Sequence, residues 1–166
     1  MGHVDAGGGQ PQRFSFQFQV NEQGLTSRSS ACPLDPRFLD YAGQIYRWAA
    51  QCGADAVWVD DDTRFLYHDL PGMACFCPLH LAEMSRRTDK DWKRDELVAA
   101  LQDDMAAQLR QVWFDLQEEA MLRFSARVES EIHSVDPRQA VGLMSIGTIP
   151  HAAEGRHTDR MLRALA

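Results

Sequence analysis

The chain has 166 residues, of which 45% are hydrophobic and 25% charged, and its formal net charge is −7. This length allows one domain with a buried core, and the composition is that of a soluble globular protein. The negative charge argues against nucleic acid as a partner, and no stretch approaches the roughly 20 apolar residues that cross a bilayer. Because the N-terminal residues have no apolar core typical of a signal peptide, we expect a cytoplasmic protein without a membrane partner.

The first third of the chain predicts an extended segment, a helix and a strand. Polar and apolar residues alternate with period two in Arg13–Val20, and residues 21–36 have the glycine, serine and proline content of a turn. A helix follows, with Asp35 as its N-cap and Gly53 at its end. The apolar run Ala56–Val59 predicts a buried strand.

The rest of the chain predicts a long helical region and a second strand. Residues 63–80 read as an irregular segment. Apolar residues at helical spacing continue from about Asp95 to His133, a length at which we expect a break or an extension past the sheet. A second buried strand is predicted at Ala140–Ile146, and a short helix at Thr158–Ala166. Strands separated by helices imply a parallel sheet.

Three consecutive acidic residues follow the predicted strand Ala56–Val59. Asp60, Asp61 and Asp62 stand at the end of a strand and the start of a loop, where functional groups gather in α/β proteins. Crowded carboxylates raise one another's pKa values, which suits proton transfer or cation binding. The alternative is a capping and ion-pair cluster in which Arg64 neutralises the acids.

A second group of side chains has the chemistry of a metal site. The stretch CFCPLH contains Cys75, Cys77 and His80, and Cys32 offers a fourth ligand. Three cysteines and one histidine form a common structural zinc site, although Cys-x-Cys is a less frequent spacing than Cys-x-x-Cys. The alternative is that the cysteines are small buried hydrophobes and that the histidine caps a helix. Cys52 lies on the apolar face of the first helix and is predicted to be in the core.

Several segments together resemble the glycoside hydrolases related to family 42, the β-galactosidase type. The resemblance is carried by the stretches ACPLDPRFLDYAGQIYRWAAQCGAD, VWVDDD, CFCPLHL and AVGLMSIG. It implies a partial (β/α)8 TIM barrel of the α/β class, from about strands 3 and 4 to strand 5. Residues 30–166 would form this partial barrel domain, and residues 1–29 a flexible N-terminal segment with an extended loop.

The resemblance also implies catalytic and binding roles. Asp62 would take the place of the acid/base glutamate of a retaining glycosidase that acts on β-galactoside-like sugars, although its side chain is one methylene shorter. Asp61 would occupy the position of a substrate-binding asparagine, and Asp60 and Arg64 would complete the contacts to a carbohydrate substrate. The family's nucleophile lies on strand seven, so we expect the isolated chain to be inactive.

The same family has a zinc-binding cysteine cluster, and the resemblance therefore strengthens the expectation of zinc. Its ligands here would be Cys32, Cys75, Cys77 and His80, with the histidine in the place of a fourth cysteine. A different class of function is a non-catalytic scaffold that binds metal or carbohydrate. Open sheet edges would also require a covering partner chain or a homo-oligomer.

Overall fold

The computed structural model describes residues 14–60, 63–65, 69–72, 74–144 and 157–166. These parts of the chain contain four strands and five helices. In chain order they are β1 (Phe18–Val20), β2 (Thr26–Ala31), α1 (Pro36–Gln51), β3 (Ala56–Val59), α2 (Pro78–Thr88), α3 (Arg94–Gln102), α4 (Ala107–His133), β4 (Ala140–Leu143) and α5 (Thr158–Ala164). Among these helices, none has both the length and the hydropathy that a bilayer crossing requires.

Helix α1 begins and ends where its capping residues predict. The carboxylate of Asp35 accepts a hydrogen bond from the N–H of Arg37 at 2.9 Å, and Pro36 occupies the first helical position. After the last turn, Gly53 adopts a φ of 74°, the left-handed conformation in which glycine carries no steric penalty. Both predicted ends of this helix are confirmed.

Strands β3 and β4 form a two-stranded parallel sheet. Ala56 pairs with Ala140, and the register continues without a shift to Val59 opposite Leu143. The predicted strand Ala56–Val59 is confirmed at both ends. The second predicted strand begins at the predicted residue and extends to Leu143, while residues 145 and 146 lie outside the described part of the chain.

The predicted partial TIM barrel is wrong. Strand β1 pairs with β2 in the antiparallel direction and forms a sheet of its own, separate from β3 and β4. A barrel requires one continuous parallel sheet, and the described residues contain two sheets of two strands each. The error arises at residues 26–31, which read as a turn but form β2, so that the extended segment before them acquires a neighbour outside the parallel sheet.

The long helical region is divided, as expected, and another helix precedes it. Between α3 and α4 the chain turns at Asp103, whose carboxylate accepts a hydrogen bond from the N–H of Met105 at 2.9 Å. The guanidinium of Arg110 donates to backbone carbonyls of this turn, including that of Asp103. Helix α2 was not predicted: its first residues were assigned to the irregular segment, and the rest to no element. Pro78 in its first turn is nevertheless a typical start signal.

Helix α4 connects three apolar clusters and thereby sets the position of the candidate site. Its C-terminal half packs against α1 and β3. In its middle, Ala120 and Met121 belong to the cluster that contains three of the cysteines. Near its start, Trp113 and Leu116 pack with residues of α2 and α3. The cysteine cluster therefore lies between the antiparallel sheet and the middle of this helix.

Candidate metal centre

Two separate parts of the chain supply four side chains that could bind a metal ion. Cys32 directly follows β2, and its N–H donates a hydrogen bond to the carbonyl of Gln17 at 2.8 Å. Cys75 lies just before α2, Cys77 is the N-cap residue of that helix, and His80 lies in its first turn. A helix start therefore places the second cysteine and the histidine on the same side of the backbone.

The antiparallel sheet holds these two parts of the chain beside each other. The N–H of Phe76, between the two cysteines of the CFC stretch, donates to the carbonyl of Val20 at 2.6 Å. Val20 is the last residue of β1, and β1 pairs with β2, which leads directly into Cys32. Backbone hydrogen bonds thus fix both halves of the cluster to one scaffold.

The four potential ligand atoms converge on one point. The Nδ1 atom of His80 lies 3.4 Å from the Sγ of Cys32 and 3.4 Å from the Sγ of Cys77. The two sulfur atoms are 3.5 Å apart. With the Sγ of Cys75 included, all four atoms lie within 4.8 Å of one another, and all four residues are buried. The chain therefore contains a buried cluster that could bind a metal ion.

The electrostatics of the cluster favour a bound cation. Burial raises the pKa values of the Cys32 and Cys75 thiols, because a thiolate is poorly solvated there. Hydrogen bonding by these two thiols instead lowers the pKa of Cys77, and the adjacent His80 lowers it further. Burial therefore opposes the formation of three thiolates at this site in the absence of a cation. A metal ion would supply the positive charge that the other two thiolates require.

Aromatic rings enclose the histidine of the cluster. The ring centroid of Phe65 lies 5.8 Å from that of His80 in an edge-to-face arrangement, and that of Trp113 lies 6.0 Å away. The histidine is fully buried, and its Nε2 atom has no hydrogen-bond partner within the described parts of the chain. The ring is thus oriented by packing, with Nδ1 toward the sulfur atoms.

The predicted carbohydrate site is described only in part. Asp60 is half-buried at the end of β3. Burial raises the pKa of Tyr46, and the nearby carboxylate of Asp60 raises it further. Asp61 and Asp62, the predicted substrate-binding and acid/base residues, lie outside the described residues. Their catalytic roles therefore stay predictions.

Two described residues after β3, Arg64 and Phe65, lie near β1 and the cysteine–histidine cluster. The carbonyl of Arg64 accepts a hydrogen bond from the Nε2 of Gln19 on β1 at 3.2 Å. The next residue, Phe65, is the one that contacts the ring of His80. Residues 64 and 65 therefore connect the segment after β3 with β1 and with the cluster.

The fourth cysteine lies elsewhere, and its predicted core position is wrong. Cys52 is exposed, and its thiol lies 3.4 Å from the carbonyl oxygen of Trp48. It is the C-cap residue of α1, where the helix ends and the chain turns into solvent. The error arose because the apolar face of the helix was extended one residue beyond its last residue, Gln51.

Sequence reasoning missed one buried polar residue of α4. Gln117 is 1% exposed in the middle of α4, although its neighbours along the same face are apolar. A glutamine inside an apolar stripe of helical spacing was the available signal, because a buried amide requires hydrogen-bond partners. Trp113, one turn before it, packs in the core.

Comparison of the chain with models of known protein families, with curated proteins and with solved structures finds no match. The resemblance to glycoside hydrolases therefore stays a prediction.

Proposed function

We propose that this protein binds one zinc ion in a closed structural site formed by Cys32, Cys75, Cys77 and His80. The observation that carries the proposal is the convergence of three Sγ atoms and one Nδ1 atom within 4.8 Å. Zinc bond lengths of about 2.0 to 2.3 Å imply separations of about 3.3 to 3.8 Å between the ligands of a tetrahedral site. The separations among Nδ1 of His80 and the Sγ atoms of Cys32 and Cys77, which are 3.4, 3.4 and 3.5 Å, lie within this range.

The donor set favours zinc over other cations. Thiolates are soft ligands that Mg²⁺ and Ca²⁺ do not select, whereas Cys3His is a frequent structural zinc set. A catalytic zinc site normally has three protein ligands and one open position for water or substrate. All four ligand residues here are buried, which leaves the ion no open face toward solvent. The ion would therefore stabilise the fold without taking part in a reaction.

The proposed ion would link the antiparallel sheet to the start of α2. Cys32 follows β2, whereas the other three ligands lie around the N-terminus of the helix. Zinc would also neutralise the thiolates that burial otherwise disfavours. Free thiolates at such a site are best preserved in a reducing compartment, which is consistent with the expected cytoplasmic location.

The test is the zinc content of the purified chain, with accessible thiols counted on the same sample. We expect about one zinc per chain, and three thiols that react only after a strong chelator removes the metal. Cys77→Ser should abolish retention of the ion. Cys52→Ser is the matched control, because Cys52 is exposed and outside the cluster, and this variant should retain zinc as the wild type does.

The proposal would be contradicted by purified protein that contains no zinc, in which all four thiols react freely and whose thermal midpoint does not change when the chelator is added.

Glycoside hydrolysis stays a prediction of the sequence alone. It would be supported by turnover of aryl glycosides that Asp62→Asn abolishes. The predicted partner chain or homo-oligomer that covers open sheet edges also stays a prediction.

A further inference from the structure

Gln117 carries two buried polar atoms that lack partners. The residue is 1% exposed, and within the described parts of the chain neither its Nε2 nor its Oε1 makes a hydrogen bond. A buried amide without partners destabilises a fold, and its retention in a core requires an explanation.

His80 also has a buried polar atom that lacks a hydrogen-bond partner in the described parts of the chain. Its Nδ1 atom faces the sulfur atoms of the cluster, while its Nε2 atom is buried and unpartnered among the residues described. When a metal binds Nδ1, the ring proton must reside on Nε2, which then becomes an obligate donor. Metal-bound histidines nearly always donate this second N–H to an oxygen acceptor.

Helix geometry places Gln117 at the border of the cluster. In a helix, residues three and four positions apart share a face. One turn before Gln117 is Trp113, whose ring lies 6.0 Å from that of His80. One turn after it are Ala120 and Met121, which belong to the same apolar cluster as the cysteines. Gln117 thus lies between residues that contact the site from both directions along α4.

The adjacent acidic residue does not compete for this role. The Oε2 atom of Glu118 accepts a hydrogen bond from the guanidinium of Arg160 at 2.7 Å. Its Oε1 atom makes no hydrogen bond within the described residues but lies 4.0 Å from Nε2 of His157, so the carboxylate faces α5. The hydroxyl of Ser125 is bonded to the carbonyl of Met121 within α4 itself. On the described face of α4 that borders the cluster, Gln117 is therefore the available acceptor.

We propose that Gln117 is the positioning residue of the metal site, and that its Oε1 accepts a hydrogen bond from Nε2–H of His80 when zinc is bound. The inference rests on the proposed zinc function. The hydrogen bond would fix the tautomer that leaves Nδ1 free for the metal and would hold the imidazole plane toward the sulfur atoms.

The test combines zinc-release rates with NMR of the histidine ring. In the wild type, ¹⁵N-detected spectra should show metal on Nδ1 and a slowly exchanging proton on Nε2 of His80. Gln117→Met, an apolar variant of similar size, should lose this protection and transfer zinc to a chelator about 10- to 100-fold faster. Gln111→Met, at an exposed position of the same helix, is the control and should release zinc at the wild-type rate.

The thermal midpoint of the metal-free protein distinguishes a positioning role from a purely structural one. If Gln117 positions His80, replacing it should lower zinc retention while the thermal midpoint of the metal-free protein is unchanged or raised, because an unpartnered amide is removed. If Gln117 has only a structural role, the same replacement should lower that midpoint. Gln117→Leu repeats the test with a second apolar side chain. Metal on Nε2, or wild-type zinc release in both variants, would overturn this inference alone. A wild-type chain that retains no zinc would overturn the proposed function as well.

Discussion

The indole ring of Trp58 on β3 lies across Gly142 on the neighbouring strand β4. A Cβ atom built on this glycine would lie only 2.5 Å from Cε3 of the ring. The tryptophan is 62% exposed, so its ring covers the sheet on the face away from the core. The absence of a side chain at position 142 is therefore what allows the ring to lie flat on the strand pair.

Adding a methyl group under this ring should destabilise the sheet. We expect Gly142→Ala to lower the free energy of unfolding by about 1 kcal/mol, because the exposed ring must swing away and lose its contact. In a Trp58→Ala background the same change should be neutral or slightly stabilising, since alanine is favoured over glycine in a strand. Urea unfolding of the four proteins measures the coupling. Additive effects would contradict the close contact.

The N-cap of α1 should make stability sensitive to acid. Burial raises the pKa of Asp35, but hydrogen bonds from the Arg37 side chain and from the backbone N–H of Gln17 outweigh it, so the pKa lies below its usual 3.8. The charged carboxylate therefore stabilises the fold above about pH 4, and this contribution is lost as the pH falls through the folded-state pKa. Asp35→Ala should cost about 1 to 2 kcal/mol at pH 7 and less at pH 2.

Unfolding in urea at several pH values measures this difference. Asp55→Asn, at an exposed position beyond α1, provides a carboxylate control that should change stability little at any pH. A destabilisation by Asp35→Ala that is as large at pH 2 as at pH 7 would argue that the capping charge plays no part.

A histidine near the end of α4 should give the opposite pH dependence. The hydrogen bond to Glu129, at 2.7 Å, raises the pKa of His133 above its usual 6.5. Its stabilising contribution is fully present below about pH 6.5 and is lost as the pH rises through the folded-state pKa. Glu129→Gln should therefore reduce thermal stability at pH 6 more than at pH 8.5. Glu131→Gln is the control, because its partner Arg127 remains charged throughout this range.

The pairing of Glu118 with Arg160 should attach α5 to α4. The carboxylate side chain is only 9% exposed, so removal of its partner leaves a largely buried charge. Arg160→Ala should cost about 1 to 3 kcal/mol and speed amide exchange in α5. Adding Glu118→Gln should restore part of the loss, because the uncompensated charge is removed. Equal exchange rates in α5 for the wild type and Arg160→Ala would show that other contacts hold this helix.

Local signals made α1 and β3 predictable. Asp35, Gly53 and the apolar run Ala56–Val59 each specify a backbone conformation through neighbouring residues alone. Strand β2 escaped prediction because its buried face contains serine. Ser27 is buried with its hydroxyl bonded to the carboxylate of Asp69 at 2.7 Å, a contact that sequence spacing does not reveal.

The pairing of strands was less predictable than their positions. The order of helices and strands is compatible both with a barrel and with two small sheets, and the choice depends on contacts between distant residues. The potential metal ligands Cys75, Cys77 and His80 were recognisable from their close spacing. Cys32 was offered as a fourth ligand from its residue type, and the resemblance strengthened that prediction. The burial of Gln117, by contrast, depends on how α4 packs against the rest of the chain.

The parallel pairing of β3 with β4 constrains how the protein can be made. The amide of Gln139 donates to the carbonyl of Ala54 at 2.6 Å across 85 residues of sequence, and helices α2, α3 and α4 all lie between these two points. Closing so long a loop is slow compared with forming helices. During synthesis, β3 leaves the ribosome well before the strand that becomes its neighbour. Until β4 emerges, the backbone of β3 has no paired strand and the ring of Trp58 has no contact with Gly142.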